Sequence, residues 1–181
     1  METDIRRQAL KTFDIAEQGS THNLPPIFFD YTNIDGLTRL RLRIEDYEYP
    51  EIHCGHDANW CLLHINVTHG GNTFDRTDPA LQTTDLIQLI IWVDSLMKYE
   101  QLEYTQLCFL EPGISFEHIG WDNGNALIEI ELDVELKPDF PLHQLDCVRD
   151  DRSIVFALSK AELERIIDSL DLTLIQLPSR T

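Results

Sequence analysis

Leu127-Ile128-Glu129-Ile130-Glu131-Leu132-Asp133-Val134-Glu135-Leu136 is the stretch on which the fold turns. Ile128, Ile130, Leu132, Val134 and Leu136 fall on one side of a period-two repeat, and Glu129, Glu131, Asp133 and Glu135 on the other. Successive side chains of a strand point to opposite faces, so the alternation predicts a β-strand that is apolar toward a core and acidic outside. Just upstream, Asp122-Asn123-Gly124 is a hairpin signal, because Asn-Gly accepts the positive φ values of a tight turn. It joins this strand to one predicted at 114–121, and Glu111-Pro112-Gly113 sets off another at 105–110. Downstream, Ile154, Phe156 and Leu158 alternate in a strand at 153–158.

The N-terminal half carries the same period. Leu40, Leu42 and Ile44 alternate with Arg39, Arg41 and Arg43, and a strand at 60–68 places Cys61, Leu63, Ile65 and Val67 on one face. Gly70-Gly71 makes the next turn, and Asp78-Pro79 leads into a helix at 84–97. Thr83 or Thr84 can cap that helix, and Asp85 suits the positive end of its dipole. Ile87, Ile91 and Trp92 widen its apolar stripe so far that most of the helix is expected to be covered. Ser159-Lys160-Ala161-Glu162 has the spacing of a capping box and opens a second helix through Leu163, Ile166, Ile167 and Leu170. A final strand is read at 172–177. Residues 1–36 read as an N-terminal extension, a weak helix through Ile5, Ala9, Phe13 and Ala16 followed by a loop with Pro25-Pro26. Residues 37–181 form one domain of α+β class, a largely antiparallel β-sheet with two main helices.

Charge dominates the composition. Lysines and arginines number 14 against 32 acids, a formal −18 in 181 residues, while hydrophobic residues make up an ordinary 43%. Such a surface attracts a basic partner and repels nucleic acid and acidic membrane. The longest apolar run, within 86–97, is far shorter than the ~20 residues of a membrane span. The acidic start Met1-Glu2-Thr3-Asp4 lacks the apolar region of an export signal, so Cys54, Cys61, Cys108 and Cys147 are expected as reduced thiols in a cytoplasm.

No catalytic or cofactor motif accompanies the charge. Cys61 and His64 have ligand-like spacing within the cluster of His53, Cys54, His56 and Asp57, but an odd separation on a strand turns them to opposite faces; no metal is expected there. A nucleophile elbow is missing, and Gly70-Gly71 and Gly120–Gly124 lack the spacing of a phosphate loop. Neither an enzyme nor a cofactor is called for. Two acidic clusters are the candidate partner-binding residues. The first is the Glu129, Glu131, Asp133, Glu135 face, whose like charges about 7 Å apart repel unless answered. Arg39, Arg41 and Arg43 on a neighbouring strand could answer them, a partner's basic residues could, or the face could be an edge charged against aggregation. The second is Asp46, Glu48 and Glu51, with Glu45, interleaved with Tyr47 and Tyr49 in a turn.

Taken in order, several segments resemble the WapI-type immunity proteins, small bacterial proteins that neutralise the toxic nuclease domain of WapA-like contact-dependent toxins. They are Asp46-Tyr47-Glu48-Tyr49-Pro50-Glu51, Asp57-Ala58-Asn59-Trp60, Asp78-Pro79-Ala80-Leu81, the helix with Trp92, Phe109-Leu110-Glu111-Pro112 with Phe116, and Leu177-Pro178-Ser179-Arg180. The resemblance spans about residues 38–181. It implies a cytoplasmic protein that binds a basic toxin domain by occlusion, with no catalytic residue. The alternative class is an acidic regulatory or scaffold module whose charge serves solubility.

Overall fold

The computed structural model describes residues 24–98, 104–142 and 152–181. Strands β1 (Ile27–Thr32), β2 (Thr38–Tyr47), β3 (Trp60–His69) and β4 (Asn72–Gln82) pair antiparallel in that order and lead into helix α1 (Thr83–Met97). Strands β5 (Gln106–Cys108), β6 (Ile114–Asp122), β7 (Asn125–Leu132) and β8 (Ser153–Leu158) repeat the plan and lead into α2 (Lys160–Gln176). The fold is mixed α+β, with two antiparallel sheets where the sequence suggested one. The division follows from α1, which carries the chain away from β4 before the next hairpins form.

Local chemistry explains the hairpins. His69 pairs with Asn72 around Gly70-Gly71, and Asp122 pairs with Asn125 around Asn123-Gly124. All four turn residues have positive φ, from 50° to 89°, which two-residue turns matching the strand twist require. Inward residues of both sheets meet in a single core with the buried sides of the helices. Phe29 of β1 meets Phe156 of β8 edge-on with centroids 4.9 Å apart, and the Ile34 N–H donates to the Val155 carbonyl at 3.0 Å. Tyr31 donates its hydroxyl to the Glu162 carbonyl at the start of α2, and Trp92 of α1 lies 6.4 Å from Phe116 of β6. These contacts fix one sheet against the other. No helix among the described residues is long and apolar enough to cross a membrane.

Several sequence expectations are corrected. Ile27–Thr32, read as part of an extension, is the outer strand of the first sheet and pairs with β2; the helix expected before it lies outside the described residues. Asp78-Pro79 lies inside β4, where Pro79 faces Leu62 beside a bulge. Proline is tolerated because β4 is an edge strand. The expected last strand is the end of α2: Leu170, Thr173 and Leu177 are buried at helical spacing. On α1, Ile87 and Ile91 are 41% and 61% exposed, one turn apart on the side away from the core. The opening stretch is not one strand either. Leu132 ends β7, the Asp133 carboxylate accepts from the Val134 N–H at 2.8 Å, and a short 3-10 turn (Val134–Leu136) buries Leu136 while exposing Val134.

Candidate functional site

The acidic groups divide according to which arginines answer them. Arg39, Arg41 and Arg43 do not face the acidic side of β7, because they lie on β2 in the other sheet. Cross-strand register instead sets Asp30 opposite Arg41. The Arg39 Nε is 2.6 Å and the Arg41 Nε 3.2 Å from the Asp30 carboxylate, while Arg43 reaches Glu45 at 2.9 Å. The charge ladder proposed between the two stretches is therefore absent, and β2 answers acids of its own sheet.

The candidate residues of the first cluster separate in space. Glu129 and Glu131 remain on the outer face of β7, where Glu129 pairs directly with Glu117 of β6 and Glu131 with Ser115. Like charges directly opposite one another are destabilising. Arg152 relieves part of this, lying 3.3 Å from Glu131 and 2.6 Å from Asp133. Glu117, Glu129, Glu131 and Arg152 line a shallow depression of about 320 Å³. Glu135 turns away and reaches Arg76 of β4 at 2.7 Å, tying the two sheets at their rim. Sequence reading missed Arg152, since nothing local says which face it would share.

The second cluster divides differently. Tyr47 ends β2 and is buried, its hydroxyl donating to the Pro178 carbonyl and its ring lying 3.4 Å beneath the guanidinium carbon of Arg180. The chain's own C-terminal residues thus occupy it. The Asn59 amide extends the clasp: it donates to the Arg180 carbonyl at 2.9 Å and accepts from the Arg180 N–H at 2.7 Å and the Thr83 hydroxyl at 3.0 Å. Arg180 Nη1 donates to the carbonyls of Tyr49 and Ile52, at 3.0 and 2.5 Å, and so fixes the loop after β2. Asp46, Tyr49 and Glu51 are exposed and Glu48 half-buried. A hydrogen bond from Tyr49 to the Glu48 carboxylate, helped by that negative charge, holds the Tyr49 phenol proton above its ordinary range.

Beside this loop lies an open cleft of about 390 Å³, walled by Glu48, Tyr49, Asp57, Trp60, Pro79 and Glu111. Asp57 entered only the cluster considered for metal, and Trp60 and Glu111 carried no chemistry in the sequence. They come from a 3-10 turn (His56–Asn59), the start of β3 and the turn between β5 and β6, so only the tertiary fold brings them together. The cysteine and histidine considered for metal stay apart. Cys61 is fully buried with its thiol pushed up to about 12, chiefly by burial and further by the charge of Asp85, whereas His64 points outward to Asp75 at 3.2 Å. Among the described residues no group of three or more His, Cys, Asp or Glu is placed to hold a metal ion.

The clustered carboxylates of this acidic two-sheet α+β protein lie on open surfaces, and comparison with known proteins gives the class. The model of the WapI-like immunity protein family matches residues 30–178, from the middle of β1 to the C-terminal clasp, and the chain belongs to that family. No match is found among curated proteins. Among solved structures the chain is similar to a plant transcriptional regulator, PBF-2, with a TM-score of 0.42 and 12% identity over 83% of this chain and 82% of that one.

Proposed function

We propose that this protein is the immunity partner of a toxin domain, a basic nuclease of a bacterial polymorphic toxin system, and that it neutralises the toxin in the cytoplasm by stoichiometric occlusion. Membership of the WapI-like immunity family carries the reading. The formal charge of −18 gives the partner its sign, since a nuclease that grips phosphates must present lysines and arginines. Two surfaces suit such a partner: the outer face of the second sheet around Glu129 and Glu131, and the loop carrying Asp46, Glu48, Tyr49 and Glu51. Occlusion needs neither turnover nor a cofactor.

The experiment is co-expression of the chain with the toxin domain encoded beside it, scored by cell survival, followed by binding kinetics over a range of salt. Electrostatic steering predicts that association slows strongly as salt rises while dissociation changes less. Glu48→Lys with Glu51→Lys is expected to weaken binding more than reversal of equally exposed acids on α2. Absence of protection refutes the immunity reading, and salt-independent association refutes the basic partner.

A further inference from the structure

We propose that the cleft between Tyr49, Trp60 and Glu111 is a socket for one arginine side chain of the protein partner. The partner's identity rests on the immunity reading; the chemistry of the socket does not. Three acidic residues, Glu48, Asp57 and Glu111, line the cleft, and among the described residues no lysine or arginine forms an ion pair with any of them. The depression on the second sheet differs, for it already holds Arg152. Carboxylates that share one concavity with no cation among them repel each other, and a cation placed between them relieves that repulsion.

The walls narrow the choice of cation. Tyr49 and Trp60 line the same cleft, and aromatic faces attract a cation through the ring quadrupole. A guanidinium stacks flat on such rings and presents five N–H donors in a rigid fork, whereas an ammonium is a compact, strongly hydrated point charge. The protein uses this pairing itself a few residues away, where Arg180 covers the Tyr47 ring at 3.4 Å. The same Arg180 pins the Tyr49 and Ile52 carbonyls, which holds the backbone beneath the Tyr49 wall in place and lessens the ordering that opposes binding.

The test uses the full chain, labelled with nitrogen-15, titrated with N-acetyl-arginine amide, N-acetyl-lysine amide and the neutral isostere N-acetyl-citrulline amide. The Trp60 indole N–H signal, assigned by its loss in Trp60→Phe, is followed. Arginine amide is expected to shift it saturably, lysine amide several-fold more weakly and citrulline amide not at all, with dissociation constants on the order of 10 mM for a single side chain. Asp57→Asn with Glu111→Gln, both exposed and isosteric, should abolish the shift while leaving the rest of the spectrum in place. Equal binding of citrulline or lysine amide, or no saturable shift, overturns the socket. The second arm measures the double variant against the toxin domain from which the wild-type chain protects cells. Its affinity should fall about tenfold or more, as for a charge-assisted anchor, whereas Glu164→Gln with Asp168→Asn on α2 should change it less than twofold. Arginine binding with unchanged toxin affinity removes the socket from the interface and leaves the immunity reading standing. Arginine binding by a chain that protects against no toxin keeps the socket and removes that reading.

Discussion

Replacing Asn59 by alanine tests the clasp that joins the C-terminal residues to the loop after β2. The Asn59 side chain makes three hydrogen bonds, two with the Arg180 backbone and one with the Thr83 hydroxyl. Thr83 is fully buried but retains Ser179 at 2.8 Å, so it is not orphaned; both Arg180 backbone groups lose their Asn59 partner. At about 1 kcal/mol net for each bond, and with water reaching the half-buried Arg180, the loss comes to about 2–3 kcal/mol. For a chain of this size that lowers the melting temperature by about 5–10 °C. Urea unfolding followed by tryptophan fluorescence should show a lower midpoint with an unchanged slope. Asn66→Ala, which removes one exposed bond to Asp75, is the control and should cost about 0.5 kcal/mol. A cost for Asn59→Ala no larger than that of the control would refute the view that the clasp holds this end of the molecule together.

Two further outcomes follow from individual groups. Because Cys61 is buried with its thiol pushed up to about 12, iodoacetamide at pH 8 should label Cys54 and Cys108, which are exposed, and spare Cys61 in the folded chain; peptide mass spectrometry reads this, and prompt labelling of Cys61 would contradict its placement. Burial raises the Asp30 pKa, but hydrogen bonds and charge from Arg39 and Arg41 outweigh it and hold the carboxyl below its ordinary value. A lowered acid stabilises the fold above the unfolded value near 4 and loses that contribution as pH falls through the folded value, so Arg39→Gln should raise the Asp30 titration seen by NMR and move the onset of acid unfolding to higher pH. An unmoved titration would show that the pair contributes nothing.

Much of the fold was legible because its signals are local. The period-two runs of β2, β3, β7 and β8, the Gly70-Gly71 and Asn123-Gly124 turns and the Ser159–Glu162 capping box all report on neighbours a few residues away. Where the reading failed, periodicity and composition do not carry the reason. Residues 127–136 alternate perfectly, yet the strand ends at Leu132, because the Asp133 carboxylate accepts from the Val134 N–H and Val134 takes a φ of 48°, which turns the chain into the 3-10 turn. Ile87 and Ile91 have an apolar composition like that of their buried neighbours, and only the position of the core leaves them outside.

The charge, the elements and the residues that carry the family resemblance are properties of the sequence by itself, since composition and short-range periodicity need no coordinates. Which arginine answers which acid is not. Arg39, Arg41 and Arg43 match the acids of β7 in period and sign, but the division into two sheets gives them to Asp30 and Glu45 and leaves Arg152 to Glu131 and Asp133. Likewise Glu48, Asp57 and Glu111 are spread over more than sixty residues of chain, and the packing of one sheet end against the other makes them walls of a single cleft. Coulomb energy depends on separation in space, and side-chain separation in space is fixed only once the backbone has closed its long-range contacts.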